Sequence, residues 1–272
     1  MIKIIIFFNF IINLCYNKGM FIILFFILGL IFGSFINCLV YRLKEEKTIM
    51  GRSFCPQCGH KLGFWDLIPL FSFIFLKRKC RYCQKKIATQ YFLAELITGF
   101  IFALGYWFYF LSTSASFNFL ALGFYLIISV FLLILFIYDF KYYLIPDIIV
   151  WPAIIIALGF NLLLGWEIGN LLLAGLIGLV FFGFQYFISK GKWIGEGDIL
   201  LGILVGFIVG WPQILLTLFI SYILGSVIGI ILILFKKKNW SSKISFGPFL
   251  VLGTWISIFW GDCIIKWYFS LY

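Results

Sequence analysis

The sequence predicts an all-α polytopic membrane protein with about eight transmembrane helices and one small polar loop. Of its 272 residues, 64% are hydrophobic, 22% are aromatic and only 11% are charged. An ordinary soluble domain has about 25% charged residues. Apolar runs also recur along the whole chain and are separated by short polar turns. Composition and pattern together exclude an ordinary soluble fold.

The apolar runs give the predicted spans in order. They cover residues 20–40, 87–111, 119–138, 148–164, 171–188, 199–209, 214–235 and 249–267. An earlier run, 2–15, is interrupted by two asparagines and is short for a span. We therefore expect residues 1–19 to be an extension that is not native, with Met20 as the functional start. The expected domains are then a first transmembrane helix at 20–42, a polar loop at 43–87 and a membrane-embedded domain at 88–272.

Charge is distributed unevenly between the two sides of the membrane. The formal net charge is +11, from 21 Lys and Arg against 10 Asp and Glu. With the polar loop placed in the cytoplasm, alternation of the predicted spans leaves only Lys3, Lys18 and Lys266 outside. This asymmetry follows the positive-inside rule. Basic residues between spans suit anionic lipid, so we exclude nucleic acid as a partner.

Four cysteines in the polar loop predict a structural zinc site. Cys55 and Cys58 form one CxxC pair, Cys80 and Cys83 form a second, and 21 residues separate the pairs. Four thiolates in two hairpins are typical of a tetrahedral Zn²⁺ site. The alternative, two disulfides, needs an oxidising compartment, which the basic and therefore cytoplasmic loop argues against. A histidine-based catalytic metal site is excluded because His60 is the only histidine.

Two carboxylates beside apolar runs are the candidate catalytic residues. Asp139 follows the third run, and Asp198 ends Gly195-Glu196-Gly197-Asp198 just before the sixth. An ionisable residue in a membrane segment costs about 2.5–3.5 kcal/mol, so a functional reason is the default expectation. Such a pair can share one proton and activate water, with Gly195 and Gly197 allowing close approach of backbone or substrate. For Gly-x-Gly-Asp alone, the competing interpretation is a turn with Asp198 as helix N-cap.

An ordered set of motifs resembles the prepilin leader peptidases, membrane aspartic proteases of type IV pilus, type II secretion and competence systems. The set comprises Gly33-Ser34-Phe35 with Asn37 and Arg42, both CxxC pairs, Ile68-Pro69-Leu70, Tyr91, Glu95-Leu96-Ile97-Thr98-Gly99, Asp139 with Ile145-Pro146-Asp147, Gly195-Glu196-Gly197-Asp198 and Phe246-Gly247-Pro248-Phe249. Gly33 and Ser34 are equally well explained as small residues for helix packing. Lys44, Phe92 and Arg78 depart from the family pattern and affect only local turns.

The resemblance implies an activity and a place for it. Asp139 and Asp198 match the catalytic aspartates, and Gly195, Gly197, Glu95, Asn37 and Arg42 are taken as supporting residues. The implied reaction removes a basic leader from a prepilin or pseudopilin at the cytoplasmic face of the bacterial inner membrane. Many members of the family also N-methylate the new amino terminus with S-adenosylmethionine. The zinc-loop form of this chain resembles those bifunctional members. The sequence indicates neither the pilin served nor an oligomeric state.

Three other classes of protein compete with this interpretation. A presenilin-like protease shares Tyr138-Asp139 and Gly-x-Gly-Asp but lacks the CxxC loop and needs a Pro-Ala-Leu element that this chain does not have. A proton-coupled transporter would use the two aspartates as proton carriers but would place them near the bilayer midplane. A non-enzymatic assembly factor with a zinc ribbon would keep working without either aspartate.

Overall fold

The computed structural model describes residues 18–48, 51–111, 119–235 and 244–270, and this part of the chain is helical. The helices are α1 (Lys18–Lys44), α2 (Phe71–Phe75), α3 (Thr89–Tyr106), α4 (Phe119–Tyr142), α5 (Asp147–Leu163), α6 (Ile168–Ser189), α7 (Glu196–Val209), α8 (Gln213–Leu234) and α9 (Gly247–Phe269). A 3-10 turn covers Phe64–Asp66, and a π-helical turn at Trp107–Leu111 continues α3. Within these ranges there is no β-strand, only two isolated bridges. The predicted all-α class is confirmed.

Six helices of the described chain are long and apolar enough to cross a membrane. They are Gly19–Lys44, Thr89–Tyr109, Phe119–Tyr142, Ile168–Ser189, Gln213–Leu234 and Gly247–Phe269. The other two predicted spans correspond to α5, with 17 residues, and α7, with 14 residues. At 1.5 Å per residue they are about 26 Å and 21 Å long, against a hydrocarbon core of about 30 Å. The chain is therefore multi-pass, and the count of eight spans stays a prediction.

Some predicted segments lie outside the described residues. They are 1–17 of the expected extension, the turn at 112–118 and the basic loop at 236–243. Elsewhere the helix ends differ from the predicted runs by a few residues. The main difference is at α4, which continues to Tyr142 and so includes Asp139 in its last turn.

The chain divides into two compact units, Met1–Leu126 and Ile127–Tyr272, with the boundary inside α4. In the first unit, α1 packs against α3 through small residues. A Cβ at Gly29 would collide with the backbone at Thr98, and a Cβ at Gly33 would collide with Cα of Glu95. Glycine at these two positions therefore lets the helices approach closely. The packing interpretation accounts for Gly33.

In the second unit, α7 packs against four other helices, α5, α6, α8 and α9. Its side chains are accordingly buried from Leu201 onward, apart from a half-buried Ile203. Gly202 and Gly206 face α6 closely: a Cβ at Gly202 would overlap the ring of Phe182, and a Cβ at Gly206 would overlap the backbone at Ala174. A short apolar helix buried on all sides fits this central position. Because α7 begins at Glu196, the packing also fixes the place of Asp198.

Candidate active site and metal centre

Asp139 is a buried carboxylate that faces the start of helix α9. Its side chain is only 6% exposed. Its Oδ2 accepts the backbone N–H of Gly247 at 2.9 Å, and its carboxylate also accepts the hydroxyl of Ser245. Gly247 is the first residue of α9, where unpaired N–H groups and the helix dipole favour a negative charge. The sequence therefore places a membrane carboxylate where backbone donors can hold it.

Glycine is required at position 247 by this contact. An added Cβ there would overlap Oδ2 of Asp139 and would lie 3.4 Å from Cδ2 of Leu201 on α7. Pro248 follows in the first turn of α9, where its missing N–H costs nothing. Phe246-Gly247-Pro248-Phe249 is one of the motifs that resemble the family, but neither Ser245 nor Gly247 was predicted as a site residue. A Gly-Pro pair at the start of an apolar helix is the signal that could have found them.

Asp198 lies in the first turn of α7 and is half-buried. The N-cap of this helix is Gly195, and Asp198 is the N3 residue, whose Oδ2 accepts the Gly195 N–H at 3.1 Å. The competing interpretation of Asp198 as N-cap is therefore wrong in its position, although the side chain does satisfy a backbone donor at the helix start. One N–H leaves carboxylate capacity for further partners, since each carboxylate offers about four acceptor sites.

The two aspartates lie together in the second unit. Their carboxylates are close enough for a direct electrostatic interaction, and Asp198 also interacts with Tyr222 of α8. Gly197 explains the approach, because a Cβ there would come within 2.7 Å of Cβ of Ile145, in the connection between α4 and α5. The segment after Asp139 and the segment before Asp198 therefore touch at a residue without a side chain.

Gly195 differs from Gly197. Its backbone is extended, with φ −80° and ψ 161°, which any residue can adopt. A Cβ at this position would meet only Oδ2 of Asp198, at 3.7 Å, an ordinary contact. Packing within the described chain therefore demands glycine at 197 and leaves space beside 195.

Two carboxylates this close in a poorly solvated site resist being ionised together. Holding one proton between them leaves one carboxylate able to accept a proton and one carboxyl able to donate a hydrogen bond. Either carboxylate could hold that proton, so neither is assigned as acid or base. This arrangement can activate a water molecule toward a carbonyl carbon.

Three of the predicted supporting residues, Asn37, Arg42 and Glu95, lie in the first unit. Arg42 and Glu95 hold its polar loop, and Asn37 joins α1 to α3. Asn37 of α1 donates to the backbone carbonyl of Tyr91 at 2.9 Å. Buried Arg42, 4% exposed, donates to the carbonyls of Gly51 at 2.8 Å and Arg52 at 3.0 Å. These bonds attach the start of the loop to α1 and join α1 to the first turn of α3. Their observed contacts are structural.

Glu95 attaches the middle of the loop in the same way. It is 9% exposed, and its Oε2 accepts the backbone N–H of Leu70 at 2.9 Å. The Ser34 hydroxyl of α1 also donates to this carboxylate. Leu70 has a positive φ of 59°, which is strained for a leucine. A buried carboxylate on α3 thus stabilises an unfavourable turn after Pro69.

The four cysteines form one cluster, as predicted. The sulfur atoms of Cys55, Cys58, Cys80 and Cys83 all lie within 4.8 Å of one another, and none is in a disulfide. Four sulfurs at 2.3 Å from a tetrahedral Zn²⁺ would be about 3.8 Å apart, and Cys55 and Cys83 are 4.0 Å apart. The donor set and its spacing fit a closed, structural metal site.

The two CxxC hairpins have the same backbone arrangement. The fourth residue after the first cysteine of each pair, Gly59 or Gln84, donates its N–H to that cysteine's carbonyl and has a positive φ. Burial raises the pKa of the Cys80 thiol, but hydrogen bonds from backbone N–H groups of Cys83 and Tyr82 outweigh it and lower the pKa to about 7. These donors favour the thiolate that a metal requires.

This fold and site define a membrane protein with an aspartate pair and a four-cysteine loop. Residues 27–109 match the family model "Bacterial Peptidase A24 N-terminal domain", and residues 126–230 match "Type IV leader peptidase family". The chain belongs to the type IV leader peptidase family. The predicted family is confirmed, and the two matches fall into the two structural units.

Curated relatives extend the similarity over most of the chain. The prepilin leader peptidase/N-methyltransferase of Aeromonas salmonicida (strain A449) is 30% identical over 276 residues, covering 90% of this chain and 92% of that protein. Its namesake in Pseudomonas putida is 30% identical over 277 residues, covering 92% and 94%. The Vibrio cholerae protein of the same name is 38% identical over 146 residues, covering 50% and 55%. No solved structure matches.

Proposed function

We propose that this protein is an aspartic endopeptidase that removes the basic leader from type IV prepilins or pseudopilins and N-methylates the new amino terminus. The observation that carries the peptidase proposal is the juxtaposition of Asp139 and Asp198 in the unit that contains the leader-peptidase match. The full-length relatives named above bear both activities in their names. Membership in their family favours the same reaction here.

Peptide cleavage follows from one shared proton. The ionised carboxylate accepts a proton from water as the water oxygen attacks the scissile carbonyl carbon. The protonated carboxyl gives its proton to the carbonyl oxygen, so a neutral tetrahedral diol forms without a free oxyanion. When the C–N bond breaks, one carboxyl gives its proton to the leaving nitrogen, and the other, now ionised, takes the proton of a diol hydroxyl as the carbonyl forms again. The pair then again holds one proton and one negative charge.

The backbone around the pair maintains the geometry for this step. The N–H of Gly247 and the hydroxyl of Ser245 hold the Asp139 carboxylate, and the N–H of Gly195 holds Asp198. Donors fixed by helix starts need no reorganisation during the reaction. The space beside Gly195 is where an extended peptide could approach the carboxylates.

The four cysteines would hold Zn²⁺ in the polar loop. All four positions of a tetrahedral ion are then filled by protein ligands, which makes the metal structural and not catalytic. For methyl transfer, S-adenosylmethionine would supply an electrophilic methyl group. The contacts of the described residues do not define a donor set for this cofactor, so the methylation proposal rests on the names of the relatives.

For the location, the proposal is the bacterial inner membrane with the aspartate pair at the cytoplasmic face. Support comes from the six apolar helices and from the basic residues of the loop between α1 and α3. The proposed division is a first helix at 20–42, a zinc loop at 43–87 and a peptidase domain at 88–272. Helices α5 and α7 complete eight spans in this arrangement.

A cleavage assay with matched aspartate variants tests the proposal. We expect Asp139→Asn and Asp198→Asn each to abolish cleavage of a prepilin peptide by the purified enzyme, because a single carboxyl cannot both hold and accept the proton. Asp147→Asn is the control, since this exposed aspartate begins α5 and capping or solvation accounts for it. Mass spectrometry reads cleavage, and a labelled methyl donor reads methylation.

The outcomes separate the candidate functions. Full cleavage by either folded aspartate variant would contradict the carboxylate-pair mechanism. A transporter or assembly factor would show no cleavage even as wild type. Cleavage without methyl transfer by the wild type would restrict the function to the peptidase.

A further inference from the structure

The polar loop carries an exposed apolar face on and before helix α2. Phe71 is 60% exposed, Ile74 63% and Phe75 79%, and in the preceding 3-10 turn Phe64 is 77% and Trp65 70% exposed. Isolated exposed apolar residues are ordinary, but five large ones within twelve positions mark an interaction surface. We call these five residues the aromatic face.

Contacts with α3 fix how far this face lies from the start of a membrane span. The N–H of Leu70 is bonded to Glu95, and the ring of Phe73 packs 5.1 Å from that of Phe92. Just after α2, Arg78 donates to the hydroxyl of Thr89, the first residue of α3. Since Glu95 is six residues into α3, α2 lies beside the first ~9 Å of the span that starts at Thr89. Interfacial segments bury their apolar side chains to a similar depth, about 5–10 Å into the boundary between headgroups and acyl chains.

The positive charge of the loop indicates that the partner of the aromatic face is an anionic membrane surface. Residues 42–86 contain 11 Lys and Arg against three acidic residues. Exposed Lys77 and Lys79 directly follow α2. Basic residues near an anionic membrane surface are attracted to it, whereas the same charges would repel a basic peptide. Aromatic side chains above an apolar boundary, with lysines beside them, are typical of interfacial anchoring.

We propose that the aromatic face inserts into the headgroup and upper acyl region of the adjacent leaflet, with Lys77 and Lys79 on anionic headgroups. The loop is tied to membrane helices at both ends by α1 and α3. Insertion would attach the α2 region to the membrane as well, in addition to the bond between Leu70 and Glu95. Neither the peptidase nor the methyltransferase assignment is needed for this proposal.

The test is fluorescence of Trp65 in bilayers of stated composition. The full-length protein and its Trp65→Phe variant are reconstituted into phosphatidylcholine with phosphatidylglycerol, with and without bromine on the upper acyl chain. The difference between the two emission spectra is the signal of Trp65 alone. We expect bromine to remove about half of it or more, as for an interfacial tryptophan. Trp107→Phe is the matched control, because Trp107 is 48% exposed within a membrane span.

Charge is tested with the double variant Lys77→Glu, Lys79→Glu. We expect its Trp65 quenching to fall toward the level that the wild type shows in pure phosphatidylcholine. Unchanged quenching in the double variant would overturn the role given to these lysines.

Two results would overturn insertion itself. A Trp65 signal that is unaffected by bromine but quenched by aqueous acrylamide would place the face in water. A blue-shifted signal that neither bromine nor acrylamide quenches would place it against protein, either a second copy or another chain.

Discussion

Substitution of Gly247 by alanine should slow peptide cleavage sharply while the protein stays folded. The added Cβ would overlap Oδ2 of Asp139 and force apart the 2.9 Å hydrogen bond between that oxygen and the residue 247 N–H. A hydrogen bond to a charged group contributes about 1.5–3 kcal/mol. If that free energy is lost only from the transition state, kcat/KM falls by about 10-fold to 160-fold.

The assay is steady-state cleavage of a prepilin peptide by purified enzyme, with thermal unfolding of each variant measured in parallel. We expect kcat to fall and KM to stay near the wild-type value, because the lost contact acts on Asp139 and not on bound substrate. Gly159→Ala is the control, since a Cβ at that position in α5 meets no atom within 4 Å.

Gly247→Ala both loses a hydrogen bond to Asp139 and adds an overlapping atom. Ser245→Ala tests the loss of a hydrogen bond alone, because it removes the second donor to Asp139 and adds no atom. As Ser245 is only half-buried, we expect a loss near the lower end of the range, about 10-fold. Activity of Gly247→Ala equal to that of Gly159→Ala would refute the reasoning. So would a rise in KM with kcat unchanged.

Three further predictions concern the first unit. Purified protein should contain about one Zn²⁺ per chain and no disulfide between the CxxC pairs, and Cys58→Ser should lose the metal; metal analysis without zinc in the wild type would contradict the site. Glu95→Ala should destabilise the loop by about 1–3 kcal/mol, because the half-buried Leu70 N–H loses its acceptor. Limited proteolysis measures this, and Glu95→Gln, which keeps an acceptor oxygen, should restore most of the protection; equal cleavage of both variants would argue against the bond. Gly33→Ala should lower the melting temperature, because its Cβ would overlap Glu95 and overpacking costs about 1–3 kcal/mol. Gly19→Ala, with nothing within 4 Å, should not, and a similar loss in both would show that helix approach is not the cause.

The features that were predictable from sequence are those that depend on local composition. Apolar runs place each helix to within a few residues, because hydrophobic length is a local property. Asp139 and Asp198 could be selected as candidates because few acidic residues of this chain adjoin apolar runs. The four-cysteine cluster was predictable for the same reason, since two short CxxC spacings are sufficient to indicate a four-cysteine metal site.

Contacts between distant segments were not predictable in this way. Gly247 and Asp139 are 108 positions apart, so only the packing of α9 against α4 identifies the N–H donor. The N-cap of α7 was misplaced because Asp is favoured both at the N-cap, where it accepts an N–H of the first turn, and at N3, where Asp198 accepts the N–H of the N-cap residue Gly195. Arg42 and Glu95 looked like parts of a reaction centre, but their recorded partners include backbone groups of the polar loop.

Rotation of α7 about the contact between Gly197 and Ile145 would move Asp198 little. Asp198 is one residue from this point, or about 1.5 Å along the axis, whereas the far end of α7 at Val209 is about 18 Å away. A rocking motion of about 10° would displace that far end by about 3 Å and Asp198 by about 0.3 Å. Asp198 moves little because it is close to the point of rotation. Helix tilting in response to bilayer thickness would therefore be absorbed at the opposite end of α7, and the carboxylate separation would stay nearly constant.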